Sequence, residues 1–253
     1  MCARYVITSP ADALRALFGY GERPNLPPRY NVAPTQPIPI VRLRDGKRSF
    51  ALVRWGFVPA WVKDPKAFSL LINARGETAL DKPSFRNGMR RRRCLIPADG
   101  FYDWRDGTPR RPYFVRSKSG GPIAFAGLWE TWSGPNGKEV DTAAIVTTRA
   151  NRLLAAIHDR MPVIVPAEAF DLWLDCARVD AATAAALITP APEELLEYYE
   201  VSPAVNRVAN DSEALIVPAA AAATAAPAQT DHAQAAPAKP KNAKKRDDQP
   251  SLF

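Results

Sequence analysis

A cysteine at position 2 carries two nucleophiles on one residue once Met1 is removed. A small second residue is the usual condition for that removal. The freed α-amine has a reference pKa of about 7.7–8.0 and the thiol about 8.5, so both are partly deprotonated near neutrality. An amine condenses with an aldehyde to a Schiff base. A neighbouring thiol then closes onto the imine carbon, giving a five-membered thiazolidine from N, Cα, Cβ and Sγ of Cys2 plus the aldehyde carbon. Position alone favours the plainer reading of a buried cysteine near a chain end. His158 is the only histidine before the C-terminal stretch, the other being His232. Imidazole titrates closest to neutrality, so His158 beside Asp159 and Arg160 is a general acid/base candidate. A lone histidine is more often structural.

Elements able to hold such groups are legible as short β-branched and aromatic runs between Pro/Gly turns. Arg4–Thr8, Ile38–Leu43, Phe50–Trp55, Pro112–Arg116, Ile123–Trp132 and Val140–Thr147 are expected as strands. Helices are expected near Ala11–Phe18, Asn151–Ala156, Ala167–Cys176, Ala181–Ile188 and Glu193–Tyr198. The first would be opened by a Ser9 N-cap with Pro10 at the first helical position. Strands outnumber helices without βαβ alternation. The expected fold is therefore α+β, a mostly antiparallel barrel-like sheet with flanking helices.

Residues 1–217 are expected as one domain, and 218–253 as a disordered tail. In that tail an Ala/Pro/Thr/Gln stretch precedes a basic cluster. The 34 Lys and Arg against 26 Asp and Glu suit a polyanionic partner. Arg90-Arg91-Arg92-Arg93 is the densest charge of the domain, although such runs are more often solvated helix faces. Cys2, Cys94 and Cys176 form no C-x-x-C pair, so no disulfide framework or metal site is expected, and Cys94 and Cys176 read as core residues. Glycine-rich nucleotide motifs are absent, and no cofactor is expected. No apolar run approaches the roughly 18 residues of a membrane span, and the first residues lack a secretory pattern, so a cytoplasmic monomer is expected.

The motifs Met1-Cys2-Ala3-Arg4-Tyr5, Arg29-Tyr30-Asn31-Val32-Ala33-Pro34-Thr35 and Arg54-Trp55-Gly56-Phe57-Val58-Pro59 are followed by Ile72-Asn73-Ala74-Arg75-Gly76-Glu77-Thr78. Further on come Arg93-Cys94-Leu95-Ile96-Pro97-Ala98-Asp99-Gly100-Phe101-Tyr102-Asp103-Trp104, Thr147-Thr148-Arg149-Ala150-Asn151 and Ile157-His158-Asp159-Arg160-Met161-Pro162. This ordered set resembles the SRAP family (SOS-response-associated peptidase domain), whose members form covalent adducts with abasic sites in single-stranded DNA. The resemblance implies that Cys2 crosslinks, that Asn73 holds the sugar and N-terminus, and that Asp103 and His158 move protons. It implies DNA contacts for Arg4, Arg75 and Arg160, and Asn31, Pro34 and Trp61 are expected beside them at the DNA. Pro34 and Trp61 also offer flat apolar surfaces for a base, while core or turn packing explains them equally well. Two positions depart from the family pattern. Asp103 stands where glutamate is usual, with the same acid chemistry and one methylene less reach. Ala3 stands where glycine is usual.

Gln249-Pro250-Ser251-Leu252-Phe253 resembles the Q-x-x-L-F peptide that docks on the bacterial sliding clamp. Gln249 would make the polar contacts, and Leu252 and Phe253 would fill an apolar pocket. An arbitrary disordered end is the plainer alternative. The expected function is an abasic-site sensor of single-stranded DNA, nucleoid-associated, with a thiazolidine crosslink through Cys2 and Schiff-base chemistry of lyase type. One alternative is an N-terminal-cysteine peptidase acting on Met1 or other peptide bonds; another is a non-covalent single-strand binder.

Overall fold

The computed structural model describes residues 2–135 and 137–220. In chain order the first elements are β1 (Arg4–Ile7), α1 (Ala11–Phe18), β2 (Arg29–Val32), β3 (Pro37–Arg44), β4 (Lys47–Trp55), β5 (Asn73–Arg75), α2 (Gly76–Ala79) and α3 (Arg86–Arg91). Then come β6 (Arg93–Ala98), β7 (Gly100–Arg105), β8 (Arg111–Ser117), β9 (Ile123–Ser133), β10 (Glu139–Arg149), β11 (Arg160–Pro162), α4 (Phe170–Leu174), α5 (Ala181–Ala185) and β12 (Leu196–Glu200). The chain is α+β with a mostly antiparallel, barrel-like sheet, as its strand-rich sequence suggests.

Strands β3, β4, β10, β9 and β6 pair in a closed ring. Closure leaves no free edge within the ring, and the β4–β10 join is its parallel contact. Against the ring packs a five-stranded sheet in the order β12-β8-β7-β1-β2. The alternation of β1 shows how the layers share it. Tyr5 and Ile7 enter the main core, while Val6 faces a second cluster with Tyr102, Phe114, Val201, Val205 and Leu215. In the main core Tyr5 meets Trp55 and Phe125 edge-on, at centroid separations of 5.5 and 6.1 Å.

The eleven-residue strand β10 does two jobs. Its first half belongs to the barrel. Its second half takes β5 in parallel on one side, with Ile145 opposite Asn73 and Thr147 opposite Arg75. On the other side it takes β11, with Arg149 opposite Arg160.

Four expectations are corrected. The helix expected over Glu193–Tyr198 is only a 3-10 turn at Glu193–Leu195, because Leu196–Glu200 is a strand on β8. Tyr198 and Tyr199 point to opposite faces and pack on Tyr113 and Phe114, aromatic pairings that outweigh the helix propensity of Glu and Leu. The helix expected over Asn151–Ala156 is likewise a 3-10 turn, Leu154–Ala156. Ser9 does not cap α1, since its hydroxyl and amide bind the Asp99 carboxylate and Pro10 occupies the cap position. Arg93 is no surface cation. It is 1% exposed and donates to the carbonyls of Trp173, Met89, Asp175 and Val179 at 2.6 to 3.1 Å.

Candidate active site

Cys2 is fully buried at the start of the chain leading into β1, and Asn73 Nδ2 donates to its carbonyl at 2.9 Å. Asn73 is presented there because β5 is registered on the far half of β10. Its Oδ1 is buried without a partner, so the amide retains one unused acceptor facing this region. Burial pushes the Cys2 thiol far up, and the Asp103 charge adds to this against the amino-terminal charge. Burial therefore favours the neutral thiol.

Asp103 lies on β7, the neighbour of β1, and is 4% exposed. Its Oδ1 accepts from the Trp104 amide at 2.9 Å. Desolvation raises its pKa above the ordinary aspartate value, opposed by the amino-terminal charge and then by His158. A carboxyl shifted upward holds its proton closer to neutral pH, which suits a proton donor.

Asp103 and His158 line one narrow crevice with Phe101, Val115 and Arg160. The 3-10 turn Leu154–Ala156 delivers the imidazole, with His158 N donating to Leu154 O at 3.0 Å. His158 Nδ1 lies 3.0 Å from the Arg160 amide and 2.8 Å from the Asp159 carboxylate. The two contacts need different protonation. The neutral ring accepts the Arg160 N–H at Nδ1 and carries its proton on Nε2, whereas the charged ring donates from Nδ1 to Asp159.

The arginines divide sharply. Arg160 Nη1 and Nη2 grip the two Glu77 oxygens at 2.6 and 2.9 Å, and Nη2 also reaches Thr147 O at 2.8 Å. Arg4 donates to Asn31 Oδ1 at 2.8 Å and Val205 O at 2.9 Å. Asn31, expected at the DNA, is 1% exposed and donates to the carbonyls of Val205, Arg207 and Asn210. Arg4 and Asn31 thus bracket the C-terminal segment onto the sheet. Arg75 is exposed, with no side-chain partner among the described residues. Pro34 is half-buried, and Trp61 is 59% exposed with its ring edge-on to Phe68 at 5.6 Å. Gln249, Leu252 and Phe253 lie outside the described residues.

Three residues escaped the sequence reading although they stand in the quoted motifs: Glu77, Thr147 and Arg149. Arg149 is exposed like Arg75 and sits opposite Arg160 across the β10–β11 ladder. Glu77 and Thr147 announce themselves only as partners of Arg160. Gly76 beside them is required by close approach, since a Cβ there would sit 2.2 Å from Ile188 Cγ2.

Among the described residues no helix is long and apolar enough to cross a membrane. Solved structures similar to this chain include a protein from Bacteroides thetaiotaomicron, 26% identical, with a TM-score of 0.78, covering 86% of this chain and 100% of that one. A phage-related protein from Bordetella bronchiseptica is 32% identical with a TM-score of 0.62, covering 79% of this chain and 94% of that one. Among sequences, the Abasic site processing protein YoqW of Bacillus subtilis is 39% identical over 222 residues, 85% of this chain and 99% of the relative. The Abasic site processing protein HMCES of Rattus norvegicus is 31% identical over 271 residues, 87% of this chain and 76% of the relative. The pattern described as SOS response associated peptidase (SRAP) matches residues 1–208, and this chain belongs to that family.

Proposed function

We propose that the protein processes abasic sites in single-stranded DNA by forming a thiazolidine between Cys2 and the ring-opened sugar. The observation that carries this reading is the grip of Asn73 on the Cys2 carbonyl, which holds the residue's amine and thiol beside a carboxyl of raised pKa. The Cys2 amine, freed of Met1, attacks the C1′ aldehyde to give a carbinolamine. Asp103 protonates the departing hydroxyl, which leaves as water and yields the imine. Sγ then adds to the imine carbon, and the S–H proton passes to nitrogen. Aldehyde plus aminothiol gives thiazolidine plus one water, so the atoms balance. His158 serves the sugar, moving a proton at its opened hydroxyl. Arg75 binds the strand's phosphates, and Trp61 and Pro34 offer apolar surfaces to its bases.

A peptidase in which the Cys2 thiolate attacks a carbonyl is disfavoured by the burial that keeps the thiol neutral. The protein would act as a monomer in the cytoplasm, at the nucleoid during DNA damage, and Gln249, Leu252 and Phe253 would dock it on the sliding clamp. Removal of residues 249–253 is expected to abolish retention on immobilised clamp; undiminished retention refutes that docking.

The decisive experiment incubates the protein with a single-stranded oligonucleotide carrying one abasic site, followed by a denaturing gel. Mass spectrometry first confirms that Cys2 is the N-terminal residue. A denaturant-stable shifted band is expected with the unaltered protein. Cys2→Ser keeps the amine and is expected to give only a short-lived imine adduct. No shifted band from correctly processed protein would falsify the reading.

A further inference from the structure

Arg160 is the best-partnered cation near the crevice, and its main partner is a residue with no part in the chemistry above. Glu77 stands on α2, two residues beyond Arg75 and four beyond Asn73. Its carboxylate takes both outer nitrogens of Arg160, at 2.6 and 2.9 Å. Arg160 Nη2 also donates to the carbonyl and hydroxyl of Thr147, at 2.8 and 3.2 Å. The backbone amide of the same Arg160 donates to His158 Nδ1 at 3.0 Å. One arginine therefore joins the segment that carries Asn73 to the one that carries His158. Its side chain is 12% exposed, and its Nε is buried without a partner. The side chain is thus held by its two outer nitrogens alone.

We infer that Glu77 is a positioning residue: by clamping Arg160 it fixes the backbone amide that orients His158, and it sets the separation of His158 from Asn73. The bidentate fork is suited to this, because two parallel hydrogen bonds fix the angle of the guanidinium as well as its distance. With the Arg160 N–H on Nδ1, the neutral imidazole presents Nε2–H as a hydrogen-bond donor. Loss of the clamp frees the β11 end of the chain and, with it, the ring. Displacements of about 1 Å in a positioned group cost up to about 10²-fold in rate.

This role rests on the crosslinking reading, and two measurements keep the two separable. The first follows adduct formation on the single-stranded abasic oligonucleotide. Glu77→Ala is expected to slow it about 10-fold or more. Glu77→Gln keeps one acceptor oxygen and is expected to lose less. In a His158→Ala background, Glu77→Ala should add nothing, because its effect passes through the imidazole. An equal slowing with and without His158, or no slowing at all, overturns the role. The second measurement needs no activity: nitrogen NMR of the imidazoles of the full chain, which has two histidines. Glu77→Ala should shift the His158 signals while those of His232 stay fixed. Coincident His158 spectra in the two proteins overturn the inference even where adducts form. Failure of the unaltered protein to form any adduct overturns the crosslinking reading itself, and this role with it.

Discussion

Two regions of the molecule bury polar groups, and they treat them in opposite ways. Around Arg93 every group is answered: four carbonyls receive the guanidinium, and Trp173 Nε1 donates to Cys94 O at 2.8 Å beside it. Around Cys2 the accounts stay open. Two of the four partnerless buried side-chain atoms among the described residues, Asn73 Oδ1 and Arg160 Nε, lie in that region. Two acidic groups there, the Cys2 thiol and the Asp103 carboxyl, are pushed upward by burial. A buried hydrogen-bonding group left short destabilises by about 1–3 kcal/mol. Stability is therefore given up beside Cys2 and kept around Arg93.

The contrast breaks most visibly at Arg93. Arg93→Met keeps the apolar stem but strands four carbonyls, and is expected to cost about 3–5 kcal/mol, the range for breaking a buried polar network. For a domain of this size that lowers the melting temperature by about 6–20 °C. A melting temperature within 2 °C of the unaltered protein, roughly the scale of a surface change, would remove Arg93 from the structural side of the comparison.

Asp103→Asn should move in the other direction. A carboxyl whose folded pKa is raised contributes stability in full below the ordinary aspartate value and loses it as pH rises through the folded value. Above that folded value the buried carboxylate carries the desolvation cost, and asparagine, with no charge to desolvate, should stabilise by about 1 kcal/mol. Adduct formation should nevertheless slow about 10²-fold through loss of the acid. Thermal melts from the ordinary aspartate range up to neutrality check the sign. A variant that melts lower than the parent at neutral pH would contradict it.

The smallest effect is expected at Arg75. Arg75→Gln removes an exposed, unpartnered charge, so stability should change by less than about 0.5 kcal/mol. The slope of log affinity against log salt for single-stranded DNA should fall by about 0.7. An unchanged slope would place the strand elsewhere. The same titration on Asn31→Ala should leave the slope alone while lowering the melting temperature, since the buried Asn31 amide donates to the carbonyls of Val205, Arg207 and Asn210.

The sequence disclosed the fold class through its β-branched runs, because alternation in a strand is a local signal. It missed β12, whose Glu and Leu content reads as helix until Tyr113 and Phe114 are known to lie across from Tyr198 and Tyr199. It grouped four arginines that burial separates, since no local rule says that β6 begins at Arg93 inside the core. For the site, residue chemistry singled out Cys2 and His158, and the ordered motifs added Asn73 and Asp103. The Glu77–Arg160 clamp stayed hidden because its members are 83 positions apart and each is an ordinary surface type by composition. Long-range pairing of common charges leaves no trace in a single sequence.

Strand β10 gives the molecule a common ruler. Asn73 is registered on it from one side at Ile145, the last residue that also pairs with β9, and Arg160 from the other at Arg149. A two-residue slip of β10 within the barrel, which keeps the same side chains on the core face, would carry both flanking strands about 6.6 Å in the same direction. Their mutual spacing would survive, while their alignment with Cys2 and Asp103, which come from the other sheet, would be lost. Two-residue insertions in the barrel half of β10 are thus translations of half the site against the other half, and a shift in β1 alone would not undo them because Asp103 rides on β7.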